Sequence, residues 1–221
     1  MKRFTEIERS FSELSGSEIV ILPVPYDETS TWIKGADKGP FAILEASQAL
    51  ELYDIETDSE VYKHGIHTLS ALKADSSPEI MVDQVKDKVR ELLDLDKFVV
   101  TLGGEHSVTV GAVKAYREKF DNICVLQLDA HADLRDEYLG SKYNHACVGA
   151  RVKEICSLVH VGVRSMCFEE KLVADENNIF FAKDIISDKN RINELIENLP
   201  DNLYVTIDLD VFDPAIMPST G

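Results

Sequence analysis

One segment joins an apolar run to polar side chains that can bind a metal ion: Ile123-Cys124-Val125-Leu126-Gln127-Leu128-Asp129-Ala130-His131-Ala132-Asp133. Two further apolar runs end in the same way. Residues 98–102 lead into Gly103-Gly104-Glu105-His106, and residues 203–207 lead into Asp208-Leu209-Asp210. Buried strands that each end at carboxylates or imidazoles indicate one shared site at the carboxyl edge of a parallel sheet, where open α/β folds bind their ligands.

Around these segments, short apolar runs alternate with longer amphipathic stretches. Strands are predicted at residues 18–23, 97–102, 122–128, 157–161, 179–182 and 203–207. Helices are predicted from Pro40 to about residue 50, from near Ser77, and at residues 107–120, 168–177 and 188–199. This repetition predicts a three-layer α/β/α fold with a doubly wound, mainly parallel sheet. Residues 57–77 show no clear pattern, and a single domain over residues 1–221 is the economical prediction.

Composition narrows the class of protein. Of the 221 residues, 44% are apolar and 29% charged, as in ordinary globular proteins. The net charge of −17 argues against a nucleic-acid surface and is compatible with a cationic small molecule as substrate. No apolar run approaches the roughly 18 residues of a membrane span, and the charged N-terminus does not resemble a signal peptide. The four cysteines form no C-x-x-C pair, so reduced thiols and a cytoplasmic location are expected.

The polar residues after the three strands favour a metal site with two ions. Asp129, His131 and Asp133 alternate, so an extended backbone would turn all three to one side, and Asp208 and Asp210 alternate in the same way. With His106 the set has four carboxylates and two imidazoles, which exceeds the four ligands of one tetrahedral zinc. Shared carboxylates suit a dinuclear site, and oxygen-rich ligation without thiolate favours Mn²⁺ over Zn²⁺.

Two rival interpretations of these residues are weaker. An EF-hand needs glycine at its sixth position and glutamate at its twelfth. Counted from Asp129 these positions hold Leu134 and Gly140, and counted from Asp208 they hold Asp213 and Ser219, so a calcium loop is excluded. Any single aspartate could be a turn or cap residue. Three strand ends with the same ligand chemistry argue against that explanation.

The same segments resemble the signature blocks of the ureohydrolases, the family of arginase, agmatinase and formiminoglutamase. The three blocks are Gly103-Gly104-Glu105-His106-Ser107, Asp129-Ala130-His131-Ala132-Asp133 and Asp208-Leu209-Asp210-Val211-Phe212-Asp213-Pro214. The resemblance also covers Pro25-Tyr26-Asp27, Lys38-Gly39-Pro40, Gly65-Ile66-His67-Thr68 and Val161-Gly162-Val163-Arg164-Ser165. Agmatinase is the most similar type, because Arg135 stands where arginases typically carry an asparagine that contacts the head of arginine.

The resemblance implies a role for each of these residues. One Mn²⁺ would be bound by His106, Asp129, Asp133 and Asp208, and the other by His131, Asp129, Asp208 and Asp210, with Asp129 and Asp208 bridging. A hydroxide bridging the ions would attack the guanidinium carbon of agmatine, giving putrescine and urea. Asp133 would orient that hydroxide, and His145 would transfer a proton to the leaving amine. A homotrimer or homohexamer is also implied.

The alternative functions depend on the end of the sequence, shortly after the third block. Family members usually continue for tens of residues beyond the third block, through a further strand that carries the guanidinium-binding glutamate and a terminal helix. The sequence is therefore expected to lack these elements, and that glutamate cannot be named in it. The alternatives are a non-catalytic metal-binding or truncated relative, a hydrolase of guanidinobutyrate or arginine, and a zinc deacetylase. The zinc deacetylase is disfavoured, because the metal site of such an enzyme usually has fewer carboxylates than this sequence offers. A thiol nucleophile at Cys147 is also disfavoured.

Overall fold

All pairings between the named strands are parallel. The computed structural model describes residues 2–73 and 77–218. The chain divides into two units, Met1–Ala115 and Tyr116–Gly221, and each contains one sheet. The sequence therefore folds as an α/β protein with parallel sheets and helices, as its alternating pattern predicts.

The first unit has a three-stranded sheet in the order β2-β1-β3. Its strands are β1 (Ile19–Val24), β2 (Ile66–Thr68) and β3 (Phe98–Gly103), and its helices are α1 (Gly39–Ala46), α2 (Pro78–Asp94) and α3 (Val108–Lys119), the last of which continues into the second unit. Short 3-10 helices lie at Arg9–Phe11, Leu14–Gly16, Ala36–Lys38, Ser47–Ala49 and Val61–His64. Helix α2 begins where the Ser77 side chain accepts a hydrogen bond from the Ile80 N–H and Pro78 supplies the first turn.

The second unit has a four-stranded sheet in the order β6-β5-β4-β7. Its strands are β4 (Cys124–Leu128), β5 (Ser157–Val163), β6 (Ile179–Phe181) and β7 (Leu203–Ile207), and its helices are α4 (Val148–Lys153), α5 (Phe168–Val173), α6 (Ala182–Ser187) and α7 (Asn190–Asn198). Short 3-10 helices lie at His145–Cys147, Glu176–Asn178 and Leu209–Val211. Leu126, Val161, Phe180 and Leu195 form a buried apolar cluster between this sheet and its helices.

The predicted strands match the observed ones closely, whereas three short elements were not predicted. Strand β2 and helices α4 and α6 contain three, six and six residues, too few to establish a period. Strand β2 lies in the stretch without a clear pattern, of which residues 74–76 are outside the described residues. Helix α5 ends at Val173 rather than at residue 177, because the Asp175 side chain caps a separate 3-10 turn.

The length and polarity of the described helices decide whether any of them could span a membrane. Within residues 2–73 and 77–218, none of them is both long enough and apolar enough to cross a bilayer. The longest, α2, has 17 residues and an exposed face rich in charged side chains.

Candidate metal centre

Strands β4 and β7 place two carboxylates side by side in the second unit. Leu128 of β4 is paired in register with Ile207 of β7, so Asp129 and Asp208 are the next residues at the same position along the two strands. A backbone hydrogen bond from Asp208 N–H to Leu128 C=O, 2.9 Å long, continues the pairing to this point. Carboxylate oxygens of the two aspartates lie within 4.8 Å of each other. The predicted convergence of these two strand ends is thus seen in the structure.

Asp129, His131 and Asp210 form a group that can hold a metal ion. One ligand atom from each lies within 4.8 Å of the other two. The His131 Nδ1 is 2.9 Å from Asp210 Oδ2 and 3.6 Å from Asp129 Oδ1. Asp210 Oδ1 also accepts a 3.1 Å hydrogen bond from the Ala130 N–H, which ties the turn after β7 to the segment after β4.

The electrostatics at this group favour a cation. Hydrogen bonds to Asp129 and Asp210 raise the pKa of His131 to about 10. The Asp129 side chain is almost fully buried, whereas about half of the His131 side chain is exposed. Two carboxylates therefore place a negative potential at an imidazole that solvent can reach.

Asp133 departs from the extended geometry that its spacing predicts. The residue is buried, as expected of a site residue, but its φ is +51°, in the left-handed region. The Asp133 carbonyl accepts a 3.0 Å hydrogen bond from the Ala150 N–H of helix α4, and the neighbouring Ala132 carbonyl accepts one from His160. These bonds turn the backbone at Asp133. The extended backbone predicted over Asp129, His131 and Asp133 therefore ends at Asp133, and the role of Asp133 as a ligand stays a prediction.

His145 lies in the 3-10 helix His145–Cys147 and is partly buried. The helix starts where the Asn144 side chain accepts a 3.0 Å hydrogen bond from the Ala146 N–H. The Tyr138 ring stands edge-on to the His145 imidazole, with 6.4 Å between the ring centroids. The guanidinium carbon of Arg135 lies 4.7 Å from the centroid of the same tyrosine ring. An aromatic ring and a cation thus fix the loop that carries His145.

His106 belongs to the first unit and is buried in the segment between β3 and α3. Gly104 allows this segment to pack against the chain at Tyr26, because a Cβ at position 104 would lie 1.9 Å from the Tyr26 carbonyl oxygen. The neighbouring Glu105 accepts hydrogen bonds from the Ser107 N–H and hydroxyl, and burial raises its pKa. Glycine at position 104 is thus required by the close approach of two backbones.

Buried polar side chains lie in the sheet two residues before Asp129, and the sequence did not predict that one of them supports this ligand. His160 of β5, Gln127 of β4 and Thr206 of β7 share one register level. The Gln127 amide donates a 2.9 Å hydrogen bond to Asp129 Oδ2, while Asp129 Oδ1 accepts a 2.7 Å bond from the His131 N–H. Both oxygens of the predicted bridging ligand are therefore oriented. A glutamine inside an otherwise apolar run was the available signal.

Glu170 of α5 fixes the far end of the same segment. Its carboxylate accepts a 2.9 Å hydrogen bond from the Leu134 N–H and a 2.8 Å bond from the Cys167 N–H, and the residue is buried. One side chain thus caps its own helix and holds the backbone directly after Asp133. Sequence spacing gave no indication of this link, because Glu170 is 36 residues from Leu134.

The remaining histidines and cysteines have structural surroundings. His160 donates from Nε2 to the Ala132 carbonyl at 2.9 Å, and His67 contacts the Ser12 carbonyl through Nδ1. Cys124, Cys147, Cys156 and Cys167 are free thiols. Burial raises the pKa of Cys147 to about 11, so this thiol is a poor nucleophile near neutral pH.

The donor set fits a hard to borderline divalent cation. Carboxylate oxygens and an imidazole nitrogen converge without a thiolate, which suits Mn²⁺ among other ions. The shared position of Asp129 next to both Asp208 and Asp210 also suits a carboxylate that contacts two ions.

Comparison with known proteins gives one consistent family. Residues 17–221 match the Arginase family. The N(1)-aminopropylagmatine ureohydrolase of Synechocystis sp. is 39% identical over 100% of this chain and 75% of its own length, and the agmatinase of Pyrococcus horikoshii is 32% identical over 99% and 77%. The crystal structure of agmatine ureohydrolase of Thermoplasma volcanium has a TM-score of 0.88 at 28% identity, covering 99% of this chain and 74% of that one. The chain belongs to the arginase family and is a ureohydrolase.

Proposed function

We propose that this ureohydrolase uses two Mn²⁺ ions to hydrolyse the guanidinium group of a linear guanidino-alkylamine, releasing urea and an amine. The observation that supports this most strongly is the group formed by Asp129, His131 and Asp210, next to Asp208, in a chain of the arginase family. A guanidinium is resonance-stabilised and a poor electrophile, so its hydrolysis at neutral pH needs an activated water. Two bound ions would supply that activation by lowering the pKa of a water toward about 7.

Each protein group has a separate task in this proposal. Asp129 and Asp208 would contact both ions, while His131 and Asp210 would hold one of them and His106 and Asp133 the other. Asp133 would also accept a hydrogen bond from the attacking water and so orient it. His145 would then protonate the leaving nitrogen, since an imidazole titrates near working pH and this one is partly exposed.

Two related substrates are in question. Agmatine would give putrescine and urea, and the resemblance of residues 103–107, 129–133 and 208–214 supports it. The relative from Synechocystis sp. is named for N(1)-aminopropylagmatine, the agmatine derivative with an additional aminopropyl arm, and it is 39% identical to this chain. That substrate would give urea and the corresponding triamine. The net charge of −17 favours cationic substrates of both kinds over guanidinobutyrate, which carries a carboxylate.

Urea release tests the proposal directly. The purified protein, loaded with Mn²⁺, would be assayed in parallel with agmatine, N(1)-aminopropylagmatine, arginine and guanidinobutyrate. We expect urea from one or both of the first two and at least about tenfold less from the others, a difference of about 1.4 kcal/mol in the activation free energy. Protein that binds two Mn²⁺ ions but releases no urea from any of them would contradict the proposal.

A further inference from the structure

We propose that Arg164 is a positioning residue that holds the turn bearing Asp210 in place for the ion bound by His131 and Asp210, an inference that rests on the proposed function. Arg164 follows strand β5 directly and is not itself a candidate ligand. Its backbone and its side chain contact two different segments of the metal centre. Each of these contacts lies within the second unit.

The backbone of Arg164 is joined to the segment after β4. The N–H groups of Arg164 and Ser165 both donate to the Ala130 carbonyl, at 2.9 and 3.0 Å. A parallel bridge between His131 and Ser165 extends this contact by one residue. The position of Arg164 is therefore fixed relative to the two ligands on either side of Ala130.

The side chain of Arg164 reaches the turn after β7. Its Nη1 donates to the Val211 carbonyl at 3.1 Å, and its Nη2 donates to the carbonyls of Asp210 and Phe212, the latter at 3.3 Å. Three consecutive carbonyls are thus bound by one guanidinium, although the side chain is exposed to solvent. The carbonyls at the end of a helical turn have no partner within the helix, and a cation is a suitable one.

The two segments approach Arg164 closely because position 162 is a glycine. Gly162 has a φ of +96°, and a Cβ there would lie 2.6 Å from Val211 Cγ2 and 3.3 Å from the Asp129 carbonyl oxygen. Residues 162–165 therefore fit between the two ligand-bearing segments. This geometry brings the guanidinium within reach of the turn.

The turn itself has little apolar packing that could replace these bonds. It is a single 3-10 helix, Leu209–Val211, in which the Asp208 side chain accepts a 3.2 Å hydrogen bond from the Asp210 N–H. Leu209 and Phe212 are 52% and 39% exposed. Loss of the guanidinium should therefore loosen the turn around Asp210, whose carboxylate keeps only its bond from the Ala130 N–H and its contact with His131 within the described part of the chain, while Asp129 keeps its own hydrogen bonds to Gln127 and the His131 N–H.

Binding of Mn²⁺ to variant proteins tests the inference without requiring turnover. Arg164→Met removes the guanidinium, and Arg164→Lys keeps a charge but not the planar set of donors. Arg90→Lys is the matched control, because Arg90 pairs with Asp87 on the surface of α2. Titration of metal-free protein would give the number and affinity of ions, electron paramagnetic resonance would report magnetic coupling between paired ions, and circular dichroism would report folding.

We expect Arg164→Met to bind one Mn²⁺ with unchanged affinity and the second about 10- to 100-fold more weakly, with loss of the coupled signal. Arg164→Lys should show a smaller loss, and Arg90→Lys should match the unmodified protein. Adding Arg164→Met to Asp210→Ala should produce no further loss, since both changes act on the same ion.

Several outcomes would overturn the inference. Retention of both ions with unchanged affinity by Arg164→Met is one. If both ions bind more weakly by the same factor, or if both Arg164 variants unfold, the residue only stabilises the fold. If the unmodified protein binds no Mn²⁺, the proposed function fails as well. If it binds two ions and releases urea while the variants keep both, this inference alone fails.

Discussion

Residues 129–134 and the turn Leu209–Val211 both contribute to the candidate metal centre, but the structure holds them in different ways. The first segment is mostly buried and is fixed by side chains from several elements, among them Gln127, His160 and Glu170. The second follows an exposed part of β7, where Val205 and Ile207 are 47% and 54% exposed, and it is held chiefly by polar bonds. Ligands in the first segment should therefore tolerate the loss of one neighbour better than Asp210 does.

The largest effect is expected from the ligands themselves. Asp129→Ala removes the carboxylate placed between Asp208 and Asp210, so both ions should be lost and kcat/KM should fall on the order of 10³-fold or more. Asp210→Ala should remove one ion and leave the other. Metal content after gel filtration, measured together with urea release, checks this contrast. Equal metal loss in the two variants would show that the segments are not independent.

A smaller loss, without loss of metal, is expected at His145. His145→Asn removes the group that would protonate the leaving amine, and we expect kcat to fall about 10²-fold, the lower end of what a general acid contributes. The Asn144 cap and the Tyr138 ring should keep the loop in place. Steady-state kinetics and Mn²⁺ content would be measured on the same preparation. An unchanged kcat would exclude this role for His145.

Glu170 tests how firmly the first segment is held. Glu170→Ala leaves the N–H groups of Leu134 and Cys167 without their buried acceptor, and we expect the free energy of unfolding to fall by about 2 kcal/mol. Glu169→Ala is the control, since this neighbouring carboxylate is exposed, and little change is expected there. Urea denaturation of the two variants would measure the difference. Equal stability of the two would mean that the carboxylate of Glu170 does not fix the segment.

The smallest effect is expected from Gln127. Gln127→Met keeps the shape of the side chain and removes the donor to Asp129, so Mn²⁺ affinity should weaken by about tenfold. The free energy of unfolding should fall by only about 1 kcal/mol, because the buried Asp129 oxygen loses its donor while removal of Gln127 Oε1, which has no hydrogen-bond partner among the described residues, partly offsets that loss. Calorimetric titration with Mn²⁺ and thermal unfolding would check both parts. A large loss of stability with unchanged affinity would contradict the assignment.

The sequence allowed six of the seven described strands and the convergence of two strand ends to be predicted, because both depend on local pattern. Apolar runs bounded by turn residues located β4 and β7, and the parallel topology placed Asp129 beside Asp208. The residues that support the ligands could not be found in this way. Arg164 and Glu170 contact the site across 34 or more residues of sequence, and only the register of neighbouring strands brings them there. The left-handed backbone at Asp133 likewise depends on its contact with helix α4.

Anomalous scattering from crystals of the Mn²⁺-loaded protein, recorded at the manganese absorption edge, tests the central claim most directly. Two peaks about 3.5–4 Å apart are predicted, both beside Asp129 and Asp208, with the His131 Nδ1 and the Asp210 carboxylate on one of them. A single peak, or a pair of ions that His131 and Asp210 do not contact, would contradict the proposed two-ion centre at the ends of β4 and β7.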